Sequence, residues 1–168
     1  VMAEGEIAYA PRTENYHYEM ELVFALKSGG TKITEADALS HIYGCAAGLD
    51  MTRRDLQNKA KENRKPWDTA KDVDESAVIT PLRQMSEVPS VASGRIQLSQ
   101  NGTVKQDADL SEMVWSVPEI IADLSTMYTL QQGDVIYMGT PAGVGAVSRG
   151  DVLTGGVEGI SDFEVKIA

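Results

Sequence analysis

Glu19 and Glu21 stand at alternate positions in the run Tyr16-His17-Tyr18-Glu19-Met20-Glu21-Leu22-Val23-Phe24-Ala25-Leu26, whose other residues favour a β-strand. Alternation sends both carboxylates to one face with Val23, roughly 7 Å apart along the strand, and sends Met20, Leu22 and Phe24 to the other. Two like charges at that spacing repel. Either they face water on a polar edge strand, or they face a cavity and something positive sits between them. A hard divalent cation such as Mg²⁺ meets the second condition, because it takes carboxylate and water oxygens and keeps positions open for substrate. Metal ligation gains from a third oxygen ligand. Asp50 lies where a short extended piece, Leu49-Asp50-Met51, meets a helix, but spacing alone does not select it over Asp55, Asp68 or Asp72.

The elements that position these residues can be read from periodicity and turn chemistry. The helix after Asp50 covers 52–63, with Leu56 and Ala60 at helical spacing among charges. Upstream, Thr34-Glu35-Ala36-Asp37 has the form of a capped, acidic first turn; Ala38, Leu39, Ile42 and Tyr43 then form an apolar stripe, and Gly44 or Gly48 ends the helix. Asn101-Gly102, between Ile96-Gln97-Leu98-Ser99-Gln100 and Thr103-Val104-Lys105-Gln106, signals a type I′ hairpin, whose two central residues both need positive φ. Ser116-Val117-Pro118-Glu119 opens a further helix with Ile120, Ile121, Leu124 and Met127 on its buried side. Gly133-Asp134-Val135-Ile136 and Gly150-Asp151-Val152-Leu153 repeat one turn-to-strand unit, and a last strand is expected at 163–167. Residues 1–15 read as an irregular lead-in. Residues 16–168 read as a single β-rich α+β domain with a few short helices.

Composition narrows the function classes. The 168 residues carry a formal net charge of -10, which argues against nucleic acid, since that partner needs a basic face to displace counterions. No apolar run approaches the ~20 residues of a membrane-spanning helix and no signal peptide is evident, so no membrane partner and a cytoplasmic location are expected. The one cysteine, Cys45, sits among small residues and reads as packing rather than as a nucleophile.

Four segments, in order, resemble the successive motifs of the fumarylacetoacetate hydrolase family: Tyr18-Glu19-Met20-Glu21-Leu22; Gly48-Leu49-Asp50-Met51-Thr52-Arg53-Arg54-Asp55-Leu56-Gln57; Trp67-Asp68-Thr69-Ala70-Lys71; and Gly133-Asp134-Val135-Ile136-Tyr137-Met138-Gly139-Thr140-Pro141-Ala142-Gly143-Val144-Gly145. The resemblance implies a mixed β-sandwich roll, a Mg²⁺ site that also accepts Mn²⁺ or Ca²⁺, a small 2-oxo acid substrate of the acylpyruvate type, and a homodimer. It places Glu19, Glu21 and Asp50 on the metal, Arg54 and Gln57 on a substrate carboxylate, and Lys71 and Thr140 at the remaining polar positions, with Lys71 catalytic. Arg54 and Gln57 are three residues apart and so share a helix face. Val73, Val78 and Met138 depart from the family's usual residues in segments that close the site, leaving the expected ligands intact.

The activity that the resemblance implies is metal-assisted hydrolysis of a carbon–carbon bond, giving pyruvate and a carboxylic acid, as in the fumarylpyruvate hydrolases of aromatic-acid breakdown. The family's hydrolases take their base from a His–Glu pair upstream of the Glu19 strand, and the sequence begins too close to that strand to include it. His17 and His41 are the two histidines, and neither falls at the base position. Decarboxylation or isomerisation of an oxaloacetate-like acid, which needs a stabilised enolate but no attacking water, is therefore kept as an alternative. A catalytically silent metal-binding subunit is the third reading.

Overall fold

The computed structural model describes residues 1–168. In chain order, β1 is Glu4–Ile7, β2 Tyr16–Tyr18, β3 Met20–Leu26, α1 Glu35–Ala38, β4 Ile42–Asp50, β5 Thr52–Arg53, α2 Arg54–Glu62, α3 Asp68–Lys71, β6 Ala77–Ile79 and β7 Arg83–Gln84. The second half holds β8 at Arg95–Gln100, β9 at Thr103–Asp109, α4 at Val117–Met127, β10 at Val135–Tyr137, β11 at Gly145–Ala146, β12 at Val152–Val157 and β13 at Ser161–Ile167. The class is the expected β-rich α+β.

The strands form three sheets, in the orders β1-β13-β12-β8-β9, β10-β3-β4-β6 with β7 also on β4, and β11-β2-β5. The first two face each other through contacts of β3 with β8 and of β4 with β12 and β13. Met20, Leu22, Phe24 and Leu26 of β3 meet Cys45, Ala47 and Leu49 of β4 and Leu98, Leu153 and Val165 of the opposite sheet in one apolar core. Alternation therefore turns Glu21 and Val23 of β3, and Ala46, Gly48 and Asp50 of β4, to the other face, where the site lies. The Glu19 strand is interrupted at Glu19 itself, which lies between β2 and β3.

Several expectations are corrected. The helix expected from Thr52 begins at Arg54, because Thr52 and Arg53 pair with β2 as strand β5. The lead-in is not irregular throughout, because β1 pairs in parallel with β13, from Glu4 opposite Glu164 to Ile7 opposite Ile167. Of its four residues only Ile7 is buried, so there is no alternation for a pattern to reveal. The helix expected from Thr34 stops at Ala38, followed by a 3₁₀ turn at Leu39–His41. Ile42 then begins β4, which pairs with β3 along nearly its whole length, and the tertiary pairing overrides a helical stripe whose Leu39 and Tyr43 are exposed. Gly44 and Gly48 lie inside that strand.

Met127, expected on the buried side of α4, is exposed at the end of that helix, where Val117 and Ile121 are the buried apolar residues. The turn and cap signals match. Asn101 and Gly102 have φ of 52° and 76°, as a type I′ turn requires. Thr34 caps α1, and Ser116 and Glu119 form a capping box on α4.

Candidate active site

The register of β3 on β4 sets the spacing of the acids. Met20 pairs with Leu49 and Glu21 with Gly48, and the next backbone bond is Asp50 N–H to the Glu19 carbonyl at 2.9 Å. Gly48 is needed opposite Glu21, since a Cβ there would lie 2.7 Å from both Val23 Cγ2 and the Val78 carbonyl oxygen. The result is that one carboxylate oxygen from each of Glu19, Glu21 and Asp50 lies within 4.8 Å of the other two.

Lys71, at the end of α3, reaches into this cluster. Its Nζ donates to Glu19 Oε2 at 2.6 Å, Asp50 Oδ2 at 2.5 Å and Thr52 Oγ1 at 2.7 Å, which uses all three ammonium hydrogens. Arg53 holds that short helix in place, since its guanidinium donates to the Thr69 carbonyl and, at 3.1 Å, to the Pro11 carbonyl. Arg54, at the start of α2, donates to Glu19 Oε1 and, at 2.6 Å, to Gln57 Oε1. The backbone N–H of Arg54 is held by the Asn15 carbonyl at 2.8 Å, while Asp55 accepts from Thr13 Oγ1 at 2.6 Å and Glu14 N–H at 3.1 Å. The loop after β10 closes the third side, with Gly139 N–H donating to Glu21 Oε2 at 2.7 Å. Thr140 follows, and its hydroxyl accepts from Gln106 Nε2 at 2.8 Å.

Charge is unevenly balanced across the three acids. Burial works against ionised Glu19, yet the hydrogen bonds and charges of Lys71 and Arg54 outweigh it and hold the carboxyl below its ordinary range. Glu21, 3% exposed, has the Gly139 N–H but no ion pair, and burial, reinforced by the charges of Asp50 and Glu19, pushes it up to about 7. Asp50 is also raised, mainly by burial, with Lys71 opposing the shift. Three carboxylates thus share two cations, and the one without a charged partner is the most deeply buried. That surplus of hard, anionic oxygens suits a hard divalent cation.

The structure brings together Glu19, Glu21, Asp50, Arg54, Gln57 and Lys71, and ties the loop bearing Thr140 to the group through Glu21. Neither histidine bonds to this group, although His17 lies near enough to Arg54 and Glu19 to feel their charges. His17 Nε2 bonds Asn15 Oδ1 at 2.8 Å, and His41 Nδ1 lies 3.0 Å from Ser28 Oγ. Cys45 is buried in β4, where burial pushes its thiol up to about 11 and keeps it protonated. Thr52, Arg53 and Gln106 take part through hydrogen bonds that the sequence reading does not foresee. Thr52 and Arg53 lie inside a quoted motif, whereas Gln106 carries no local signal beyond its place after the Asn101-Gly102 turn.

Comparison with known proteins places this geometry. The family described as "Fumarylacetoacetate (FAA) hydrolase C-terminal" matches residues 1–168. The chain is 52% identical over 167 residues to a fumarylpyruvate hydrolase of a Ralstonia species, covering 99% of this chain and 86% of the relative. It is 35% identical over 169 residues to the mitochondrial oxaloacetate tautomerase of Rattus norvegicus, covering 95% and 76%. Among solved structures, fumarylpyruvate hydrolase from Pseudomonas aeruginosa in complex with Mn²⁺ and pyruvate superposes with a TM-score of 0.96 at 42% identity, over 100% of this chain and 73% of that one. With the matched motifs, the roll and the clustered acids in agreement, the chain belongs to the fumarylacetoacetate hydrolase family.

Proposed function

We propose that this protein hydrolyses the carbon–carbon bond of an acylpyruvate of the fumarylpyruvate type, releasing pyruvate and a carboxylic acid, with a divalent cation held by Glu19, Glu21 and Asp50. The observation that carries this reading is the convergence of those three acids within 4.8 Å, with the Lys71 ammonium bonded to two of them. The identity with a fumarylpyruvate hydrolase over nearly the whole chain supports the substrate class, and the Pseudomonas complex supports the cation and the pyruvyl half.

A bound divalent cation supplies Lewis-acid charge to the oxygens of the pyruvyl group. The rest is done by side chains of this chain. Arg54, with Gln57 beside it, binds the pyruvyl carboxylate; its guanidinium is already aimed by the bonds to Glu19 and Gln57, which lowers the cost of ordering it when substrate arrives. As water adds to the distal acyl carbonyl and the bond from that carbon to the pyruvyl C3 breaks, the Lys71 ammonium, held between Glu19 and Asp50, places positive charge where the enolate develops. The enolate then takes a proton at C3 to give pyruvate, and the acyl carbon leaves as the carboxylic acid. Thr140 donates its hydroxyl proton to the same anionic substrate. The Gly139 N–H fixes the loop on Glu21, so binding and cation sites keep one geometry.

The same reading takes Mg²⁺ as the resident ion, with Mn²⁺ or Ca²⁺ as substitutes, a single catalytic unit over 16–168, and a cytoplasmic homodimer serving the breakdown of aromatic acids. A second reading, tautomerisation of oxaloacetate, is favoured by the 35% identity with an oxaloacetate tautomerase and needs no attacking water. Assays with fumarylpyruvate, acetylpyruvate and oxaloacetate separate the two. Release of pyruvate from the 2,4-dioxo acids supports hydrolysis; keto–enol exchange of oxaloacetate without pyruvate release from the others supports the second.

A further inference from the structure

Gln106 is completely buried, although it lies in a β-hairpin strand at the edge of a sheet. Its burial comes from a β-bulge. Leu98 pairs with Gln106 but Ser99 pairs with Val104, which leaves Lys105 without a partner. The extra residue reverses the alternation, so that Val104 is 50% exposed and Gln106 points inward beside Leu98.

The Gln106 amide then joins two parts of the site. Its Oε1 accepts from Met20 N–H at 3.0 Å, between Glu19 and Glu21, and its Nε2 donates to Thr140 Oγ1 at 2.8 Å and to the Pro141 carbonyl at 2.9 Å. The amide admits one orientation, because turning it over would set its NH₂ against the Met20 N–H and its oxygen against the Pro141 carbonyl. The backbone of the loop is pressed onto the same strand. At Gly143, φ is +104° and a Cβ would lie 2.0 Å from the Lys105 carbonyl oxygen, so the loop follows the bulge.

A hydroxyl that accepts from Nε2 has its own proton left to give. We propose that Gln106 is a positioning residue that fixes Thr140 as a hydrogen-bond donor toward the anionic substrate and ties the Gly139-Thr140-Pro141 turn to the metal-binding strand. The proposal rests on the reading of Thr140 as a substrate contact. It gives the hairpin bulge a function, namely to select which partner the Thr140 hydroxyl proton serves.

A double-mutant cycle with fumarylpyruvate and Mn²⁺ tests it, using Gln106→Met, Thr140→Val and their combination. Gln106→Met keeps the unbranched shape and removes the polar atoms. We expect KM to rise about tenfold with kcat changed by no more than about twofold, the size of one lost hydrogen bond to a charged group. In the Thr140→Val background the same substitution should change KM by less than about twofold, and Thr140→Ser should restore the sensitivity. A purely structural role would lower the melting temperature and raise KM by the same factor in both backgrounds, which overturns the proposal. No effect of Thr140→Val on KM overturns the reading of Thr140 and the proposal with it; an effect of Thr140→Val without one of Gln106→Met overturns the proposal alone. Should Gln106→Met not fold, Gln106→Glu keeps an acceptor for Met20 and removes both donors; failure of both to fold identifies a core residue and likewise refutes positioning.

Discussion

Asp50 donates its backbone N–H to the carbonyl of Glu19 at 2.9 Å, so two of the three clustered acids are joined by a main-chain bond at the end of the β3–β4 ladder. The third, Glu21, sits across from Gly48 in the same ladder. Carboxylate spacing is therefore a property of strand register, which one face of buried apolar residues holds fixed. Shifting the register by one residue would turn Met20 and Leu22 to the site and the acids into the core.

Gly48→Ala tests that dependence. The added methyl would lie 2.7 Å from the Val78 carbonyl oxygen, which cannot move without disturbing β6. We expect a loss of about 1–3 kcal/mol in stability, as for other overpacked sites, together with weaker Mn²⁺ binding. Thermal melting and calorimetric titration of Mn²⁺ measure the two effects, and an unchanged Mn²⁺ affinity would show that register is not what spaces the acids.

Lys71 Nζ occupies Glu19 Oε2 and Asp50 Oδ2, so a cation held by these acids, as proposed, would draw on oxygens that already serve the ammonium. Lys71→Met should lower kcat on the order of 100-fold or more by removing charge from the developing enolate. It should nonetheless leave Mn²⁺ binding as tight as before or tighter. Mn²⁺ binding weakened tenfold by this substitution would mean that Lys71 organises the ligands rather than competing for them.

Arg53→Ala should loosen the helix that carries Lys71, because the guanidinium bridges the Thr69 and Pro11 carbonyls from a largely buried position. A stability loss of about 2 kcal/mol is expected, in the range for a buried network with unpaired carbonyls. Faster amide exchange in 68–72, measured by mass spectrometry, checks that the loss is local to α3.

The raised Glu21 predicts a pH dependence of the metal-free protein. Burial lifts this carboxyl from 4.5 to about 7. A folded-state value above the unfolded one contributes stability that is complete below the unfolded value and is lost as pH rises through the folded value. The chelated protein should thus lose stability between about pH 4.5 and 7, by at most about 3 kcal/mol. Asp50, also raised by burial, acts in the same direction, whereas Glu19, held down by Lys71 and Arg54, contributes stability that is lost only as pH falls below about 4.5, outside this window. Glu21→Gln should flatten the profile, and saturating Mn²⁺ should abolish it, because a cation replaces the proton. Melting temperatures taken from pH 4.5 to 8 in EDTA and in Mn²⁺ give the comparison; a wild-type profile that rises through pH 7 in EDTA would contradict it.

Much of this site can be read from local sequence. Alternation from Met20 through Leu26, the Asn101-Gly102 turn and the Ser116–Glu119 capping box are local signals, and each appears in the structure as its residues suggest, although the strand breaks at Glu19. What the sequence conceals depends on distant partners. Ile42 and Tyr43 continue a helical stripe from Ala38, yet pairing with β3 makes them strand; β1 shows a single inward residue; and Gln106 is outward by plain alternation until the bulge at Lys105 is known. Gln106 accordingly escapes a motif-based reading, since its contacts lie 86 residues before it and 34 and 35 after it.

Glu19, Glu21 and Asp50 are proposed to hold the cation on which carbon–carbon cleavage depends. Pyruvate release from fumarylpyruvate by metal-stripped protein, titrated with Mg²⁺ or Mn²⁺ in parallel for the wild type and Glu21→Ala, tests it most directly. The expected result is no turnover without metal, saturable recovery in the wild type, and loss of about 100-fold or more in Glu21→Ala at the same metal concentration. Full turnover in the presence of chelator, or wild-type activity in Glu21→Ala, would contradict it.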